Sequence, residues 1–251
     1  MDTPTVALLG LGEAGAALAA DLVTAGAVVR GYDPAVAAPD GVLGCPSEAD
    51  AVAGADLVLS VNSAAAAPGA LRAGIGALGA DAVWVDANTA APGVKQQLDH
   101  TARENGHRCV DVALMATVPG RGLGVPMFAS GAGAERAAAL LRPLGAPVEV
   151  LDGPAGVAAG RKLLRSVFFK GMAASVVEAL EAARAAGCED WLRDNIATEL
   201  AGADESTVDR LVSGSHTHAV RRGAEMDAAA AMLDDLGVSP TVTRAGRELL
   251  R

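Results

Sequence analysis

Thr5–Asp33 reads TVALLGLGEAGAALAADLVTAGAVVRGYD, and the rest of the chain is understood outward from it. Thr5–Leu9 is a short apolar run of the kind that forms a buried strand. It leads directly into Gly10-Leu11-Gly12-Glu13-Ala14-Gly15. A helical pattern follows from Ala16 to Ala25 and stops at Gly26; Val28–Tyr32 is a second strand, with Asp33 at its carboxyl end. The glycines alone are a weak signal, but strand, glycines, helix, strand and acid in this order make a dinucleotide-binding fingerprint. Gly10 allows the tight turn, Gly12 lets backbone approach a pyrophosphate, and Gly15 lets the helix pack on the strand. Leu11, Glu13 and Ala14 complete the turn, and the helix N-terminus supplies free N–H groups and a favourable dipole for phosphates. Asp33 can accept hydrogen bonds from a ribose 2′-hydroxyl and repels a 2′-phosphate, so NAD is favoured and NADP remains possible.

The alternation of strand and helix continues. Asp40–Asp50 reads as a loop, with a short helix start at Pro46–Asp50. Leu57–Val61, Ala82–Val85 and Arg108–Val112 are expected strands, separated by helices over Ala65–Leu78 and Gly93–Glu104. An open parallel sheet collects its ligands beyond the carboxyl ends of its strands. That gathers Asn62, Asn88, Thr89 and the segment after Asp111 around one crevice, with Asn62 and Asn88 as cofactor contacts. Taken singly, Thr89 and Ser63 read as ordinary helix caps. A loop of small residues follows Asp111, then a strand at Pro126–Ser130, a helix at Glu135–Leu141 and a strand at Val148–Leu151. The fold class is therefore α/β: a Rossmann-type doubly wound parallel sheet with an appended strand pair or two.

Gly153–Gly187, GPAGVAAGRKLLRSVFFKGMAASVVEALEAARAAG, opens with glycines and becomes a long helix with apolar residues at helical spacing. Gly156 and Gly160 each weaken a helix by roughly 1 kcal/mol relative to Ala, which points to close packing there. Arg161, Lys162, Arg165, Ser166 and Lys170 make its first turns cationic, and Lys162, Ser166 and Lys170 share one face. This pattern is either a solvated basic face or a surface on which Lys162 meets a cofactor. Beyond Gly187 nothing alternates with period two, so the remainder reads as all-helical: Cys188–Leu200, one or two helices within Asp204–Met232, and a terminal helix from Ser239-Pro240 to Arg251. Two domains are expected, 1–155 for dinucleotide binding and 156–251 as a smaller all-α domain joined by the long helix. The latter is small to bury a core alone, and its exposed apolar faces suggest a homodimer packed through it.

Composition narrows the function classes. Hydrophobic residues make up 51% of the chain but aromatics only 2%, so the core must be built from small aliphatic side chains and close backbone packing. A formal net charge of −10 argues against nucleic acid or an anionic membrane as the main partner. No apolar stretch reaches the ~20 residues of a membrane span, and the start at Asp2 has no basic n-region. Cys45, Cys109 and Cys188 form no metal-spaced pair and are expected to be reduced, buried thiols in a cytoplasmic protein. His216, His218, Arg221 and Arg222 form the one polar cluster of the last third. It reads as a solvated helix face or as cations that close over an anionic substrate, and no metal is expected there.

GLGEAG at Gly10–Gly15, DANTAAP at Asp86–Pro92, DVALMATVP at Asp111–Pro119 and GVAAGRKLLRS at Gly156–Ser166, in this order and spacing, resemble the β-hydroxyacid dehydrogenase superfamily. That superfamily includes 3-hydroxyisobutyrate, tartronate-semialdehyde and 6-phosphogluconate dehydrogenases, and the resemblance covers roughly Val6 to Gly187. It implies an NAD(P)-dependent oxidoreductase acting on a small β-hydroxyacid or sugar-acid-like substrate, with Lys162 in the position of the catalytic acid/base. An asparagine usually follows four residues later, where this chain has Ser166. The family's Ser-Gly-Gly substrate loop is replaced by Met115-Ala116-Thr117. With KLLRS, MATVPGRGL and HAVRRGAEM, these departures look like a 6-phosphogluconate-dehydrogenase-like branch with a distinct helical C-terminal domain. Chemistry points the same way: a base that takes a hydroxyl proton works best with a pKa near the working pH, and lysine starts near 10.4. Burial or the neighbouring Arg161 and Arg165 would lower it; Arg165 could equally grip a substrate carboxylate or phosphate. Two other readings stand beside this one: an imine reductase, whose relatives typically lack the lysine, and a dinucleotide-binding sensor without turnover.

Overall fold

The computed structural model describes residues 3–250; Met1 and Asp2, on which the reading of the N-terminus rests, and Arg251, the expected end of the last helix, lie outside the described residues. The chain divides into two compact units, one running to Arg165 and one from Ser166 onward. The boundary expected at 155/156 sits at the start of the long helix, whereas the first unit continues along that helix to Arg165.

The first unit is an eight-stranded sheet in the order β3-β2-β1-β4-β5-β6-β7-β8. The strands are β1 (Thr5–Leu9), β2 (Val28–Tyr32), β3 (Val42–Gly44), β4 (Leu57–Ser60), β5 (Val83–Asp86), β6 (Cys109–Leu114), β7 (Met127–Ser130) and β8 (Val148–Val150). The helices between them are α1 (Glu13–Thr24), α2 (Glu48–Val52), α3 (Ala67–Gly74), α4 (Pro92–Glu104) and α5 (Ala134–Leu141). Both faces are covered, which is why the central strands read as unbroken apolar runs instead of alternating. Val6 and Leu8 pack with Leu18, Leu22 and Val112 on one side. Ala7 and Leu9 pack with Leu71, Trp84 and Leu98 on the other.

Two sequence expectations are corrected. Asp40–Asp50 is not all loop, because Val42–Gly44 adds an edge strand parallel to β2. The appended strands take a defined direction: β7 runs antiparallel to β6, and β8 follows β7 in parallel. The cysteines are not all buried; Cys109 is, but Cys45 is half-buried and Cys188 exposed.

The order of strands reverses direction at β1, with β2 and β3 on one side and β4 to β8 on the other. The crevice of such a sheet opens above the carboxyl ends of β1 and β4.

Helix α6 (Val157–Ala185) continues into the second unit, which adds α7 (Glu189–Ala201), α8 (Glu205–Thr217), α9 (Ala219–Asp235) and α10 (Thr241–Leu249), with no strand among its described residues. Gly187, at φ +74, ends α6 in the left-handed conformation that favours glycine. Asp204 and Thr207 form a capping box that starts α8. Glu178 of α6 is 8% exposed and accepts from the Val242 amide (2.6 Å), the Thr243 amide (2.8 Å) and the Thr243 hydroxyl (2.6 Å), so a carboxylate satisfies the open N-terminus of α10. Burial pushes this carboxyl up, but the hydrogen bonds from Thr243, Val242 and Thr241 outweigh it and hold it below its ordinary value.

A depressed folded-state pKa contributes stability that is complete above the unfolded-state value and lost as pH falls through the folded one. Glu178→Gln is therefore expected to loosen α10 by about 1–3 kcal/mol at neutral pH, the worth of hydrogen bonds to a charged group. Amide hydrogen exchange over α10 should show the faster opening. The difference from wild type should shrink as pH falls below the ordinary carboxyl range.

Candidate active site

The glycine loop joins β1 to α1 and its three glycines do three different things. Gly10 has φ +104, and a Cβ there would lie 2.7 Å from the Asn62 amide nitrogen. A Cβ on Gly15 would lie 2.0 Å from the Gly10 carbonyl oxygen, so the first turn of α1 closes onto the loop itself. A Cβ on Gly12 would meet nothing within 4 Å. Gly12 thus borders open space at the start of α1, whose N-cap has no side-chain hydrogen bond. Unclaimed N–H groups beside open space are what a pyrophosphate requires.

Asp33, just past β2, ties this loop down. One carboxylate oxygen accepts from the Leu11 amide at 2.9 Å; the other accepts from Ala35 at 2.8 Å and Val36 at 3.0 Å. Burial pushes this carboxyl up, yet the three backbone N–H groups win and hold it below its ordinary value. Asp33 is therefore an anion, and the oxygen that accepts only from Leu11 retains an acceptor site for a ribose hydroxyl.

A cleft of about 360 Å³ opens above the carboxyl ends of β4, β5 and β6, with Ala14, Asn62, Asn88, Thr89, Ala116 and Lys162 among its lining. Lys162, on the second turn of α6, donates from Nζ to the Thr89 hydroxyl at 2.9 Å. Asn88 is buried, and its amide nitrogen donates to the Ser60 carbonyl (3.3 Å), the Ser60 hydroxyl (3.2 Å) and Asp86 (2.6 Å). With the NH2 end committed inward, Asn88 offers its carbonyl oxygen to the cleft. Asn62 uses its side-chain oxygen on the Ser63 amide at 2.7 Å, and the Ser63 hydroxyl accepts from Ala66 at 3.1 Å, a local turn leading into α3.

Thr89 was expected to be a helix cap and is not one. Helix α4 begins at Pro92 with Ala91 as its N-cap and no side-chain cap, which frees Thr89 for Lys162. Of the segment expected to shape a substrate pocket, Ala116 lines the cleft, whereas Met115 packs toward Ala113, Leu151 and Ala158 and Thr117 is exposed. Arg165 is exposed on α6, and Ser166, half-buried, begins the second unit. Arg161 lies with its guanidinium carbon 6.0 Å from the centre of the Phe128 ring. His216 and His218 are exposed; Arg222 donates to Ser215 at 2.9 Å and Arg221 pairs with Glu225 at 3.9 Å. No cluster of metal-ligating side chains occurs among the described residues.

Sequence reasoning missed what lies under the cleft. Lys95 of α4, 1% exposed, donates to the Asp86 carboxylate at 2.5 Å and the Asp86 carbonyl at 2.9 Å. It also lies 3.2 Å from Asp111 Oδ1, an ion pair outside hydrogen-bond geometry. Burial, followed by the nearby Asp111 charge as a smaller push, raises the Asp86 carboxyl, although Lys95 and Asn88 oppose the shift. The sequence signal was available: Lys95, Leu98, Asp99 and Ala102 fall on the buried stripe of an amphipathic helix, where an unpaired lysine cannot sit.

A glycine turn that borders open space at a helix N-terminus, tied to a carboxylate just past the second strand of a doubly wound sheet, defines a protein of the Rossmann class. Residues 5–151 match the family described as the NAD binding domain of 6-phosphogluconate dehydrogenase, and residues 183–251 match a domain of unknown function, DUF1932. The chain belongs to that NAD binding domain family, within the superfamily its motifs resemble. A probable 3-hydroxyisobutyrate dehydrogenase of Mycobacterium tuberculosis is 50% identical over 62 residues, which are 23% of this chain and 21% of that protein, so the match spans about a fifth of the relative's length. A conserved hypothetical protein from Sinorhizobium meliloti 1021 is 29% identical, with a TM-score of 0.66 over 99% of this chain and 88% of its own. An imine reductase from Myxococcus stipitatus in complex with NADP+ has a TM-score of 0.83 at 20% identity, over 99% and 93%; a variant in complex with NAD+ reaches 0.82 at 20%, over 100% and 93%. These last two likenesses are likenesses of fold.

The glycines make a separable pair of predictions. Gly12→Ala is expected to leave the melting temperature near wild type and weaken dinucleotide binding about tenfold or more, equivalent to roughly 1.4 kcal/mol. Gly15→Ala is expected to lower both, since overpacking costs about 1–3 kcal/mol. Thermal unfolding and titration with NADH, followed by fluorescence, check the two together.

Proposed function

We propose that this chain is an NAD(P)-dependent oxidoreductase of a small β-hydroxyacid or sugar-acid-like substrate, with Lys162 as general acid/base. The observation that carries the reading is the Lys162–Thr89 hydrogen bond of 2.9 Å, which holds an amine at the mouth of the cleft beside Asn88. The bound nicotinamide supplies the hydride acceptor. Neutral Lys162 takes the proton of the substrate hydroxyl as the carbonyl forms, and its ammonium returns one in the reductive direction. Thr89 fixes the amine's direction without holding a charge against it. The carbonyl oxygen of Asn88 orients a donor on substrate or cofactor. Arg165 and Ser166, three and four positions after Lys162 and so one helical turn on, are the proposed substrate contacts; a guanidinium suits a carboxylate or phosphate. Asp33 favours NAD over NADP, since a 2′-phosphate would stand against an anion already held by three amides.

The test is nicotinamide absorbance during incubation with a panel of small hydroxyacids, phosphosugar acids and cyclic imines, with NAD and NADP in parallel. Lys162→Ala is expected to lower turnover about a hundredfold or more, in the range of general acid–base catalysis, while NADH still binds. Turnover of imines with no oxidation of any hydroxyacid would favour the imine reductase. Tight NADH binding without turnover of any substrate would favour the sensor.

The homodimer is proposed on the apolar surface of α6. Leu164 and Val167 are each 73% exposed, Phe168 58% and Val177 57%, spread over more than one face of the helix. A helix apolar on several faces is normally buried. The helical unit also contains an apolar hollow of about 520 Å³, bordered by Ala179, Ala182, Trp191, Leu192, Met226 and Met232, that suits such a surface on a second copy. Light scattering coupled to size exclusion should give twice the chain mass, and Phe168→Asp is expected to shift it to the monomer.

A further inference from the structure

Under the cleft, two helices start side by side. Gly156, at φ +104, lies so close to Pro92, the first residue of α4, that a Cβ would come 2.9 Å from the Pro92 carbonyl oxygen. Helix α4 carries Lys95 and helix α6 carries Lys162. The start of α6 depends on a buried carboxylate of β6, and Lys95 in the first turn of α4 reaches a second one at the end of β5. Asp111 of β6 accepts through Oδ2 from the Gly156 amide at 3.0 Å and the Ala159 amide at 2.8 Å, with the Ser130 hydroxyl at 3.4 Å. Ser130 of β7 in turn accepts from Ala158 at 3.0 Å. The first turn of α6, immediately before Lys162, thus hangs from Asp111 and Ser130. Asp86 of β5 holds Asn88, which precedes Thr89. The ammonium of Lys95 lies between these two carboxylates, at 2.5 Å from Asp86 and 3.2 Å from Asp111.

We propose that Lys95 is a positioning residue: by tying Asp86 to Asp111 it fixes the Asn88–Thr89 turn relative to the first turn of α6, and so sets where the Lys162 amine stands. The inference rests on the reading of Lys162 as acid/base. All its members belong to the sheet unit. Lys95 is 1% exposed and reaches no open space, so it acts only through the groups it joins. Removal of its charge leaves two buried carboxylates with no cation between them, a state that proteins relieve by protonation or rearrangement. Either response disturbs one of the two turns that meet at Lys162 and Thr89.

The chain contains three lysines, Lys95, Lys162 and Lys170, which makes amine chemistry site-resolved. Lys170 is exposed and serves as the internal reference for reductive methylation read by peptide mass spectrometry. In Lys95→Met, the labelling of Lys162 relative to Lys170 is expected to rise about fivefold, the worth of one hydrogen bond, as the amine leaves Thr89. On the substrate found by the panel above, kcat is expected to fall roughly tenfold to a hundredfold, the cost of misplacement by about 1 Å. NADH affinity, to which the distant Gly10–Gly15 loop and Asp33 also contribute, is expected to fall less than kcat.

The double variant Lys95→Met with Asp86→Asn separates position from stability, because it removes one charge of each sign and leaves Asp111 on α6. Its melting temperature is expected to return toward wild type while kcat and Lys162 labelling remain those of the single variant. The proposal is overturned if kcat and labelling recover together with the melting temperature. It is equally overturned if folded Lys95→Met matches wild type in both. Should wild type turn over no substrate at all, the reading of Lys162 as acid/base fails, and the labelling ratio still decides whether Lys95 positions it.

Discussion

Asp111 accepting the first amides of α6 is the interaction on which the geometry of the cleft depends. A helix start leaves N–H groups without internal partners, and this one lies away from water, against Pro92 and the strand ends. A carboxylate satisfies several of those donors at once and complements the helix dipole. As a source of stability, the buried group of Asp86, Lys95 and Asp111 is a poor choice. The desolvation of three charges consumes most of their attraction, and well-packed apolar side chains of similar volume would hold the sheet as well. Apolar side chains cannot, however, receive amides at defined angles from two different chain segments. The polar core is better understood as a device that orients than as one that stabilises.

The composition of the chain makes that device possible. With aromatics at 2%, the sheet and helices approach closely through alanine, glycine and small aliphatics. Trp84 is the largest buried side chain, and even it lies against Gly74, where a Cβ would fall 3.1 Å from the ring. The same economy of volume operates at Gly156 and Pro92, where α6 and α4 begin against each other, and at Gly15, whose first helical turn closes on the Gly10 carbonyl. Larger residues at these points would separate the helix starts and stretch every hydrogen bond that converges on Asp86 and Asp111. Small side chains in the core and a compact set of polar partners beneath the cleft are thus two aspects of one packing solution.

What the sequence reveals follows the range of the interaction involved. The fingerprint from Thr5 to Asp33 is legible because its turn, helix start and acid are fixed by neighbours in the chain, and β1, α1 and β2 lie close to where their residues place them. The edge strand at Val42–Gly44 is not legible: three residues carry no periodicity, and they are a strand only because Val29 and Gly31 lie beside them. The reversal at β7 is hidden for a related reason, since a four-residue run of three apolar residues and a serine reads alike in either direction. Thr89 looks like a cap because caps are decided locally, whereas its partner Lys162 comes from 73 positions away. In the sequence Lys95 looks like one more polar residue on a helix. Only the buried stripe it shares with Leu98 and Ala102 marks it, and its partners on β5 and β6 are supplied by the sheet.

The choice of lysine at these places is itself informative. Among twenty basic residues only three are lysines, so this chain meets most of its needs for positive charge with arginine. An arginine at position 95 would bring a wide planar fork, ill-suited to three oxygens gathered around one point. An ammonium has three donors set tetrahedrally, and Lys95 has the Asp86 carboxylate, the Asp86 carbonyl and Asp111 Oδ1 within 2.5, 2.9 and 3.2 Å. At position 162 the distinction is chemical instead of geometric. A guanidinium stays protonated throughout the accessible range and can only bind, whereas an amine can be brought to give and take a proton. Two lysines near neighbouring helix starts therefore have different partners: Lys95 lies between the buried carboxylates of Asp86 and Asp111, and Lys162 donates to the hydroxyl of Thr89.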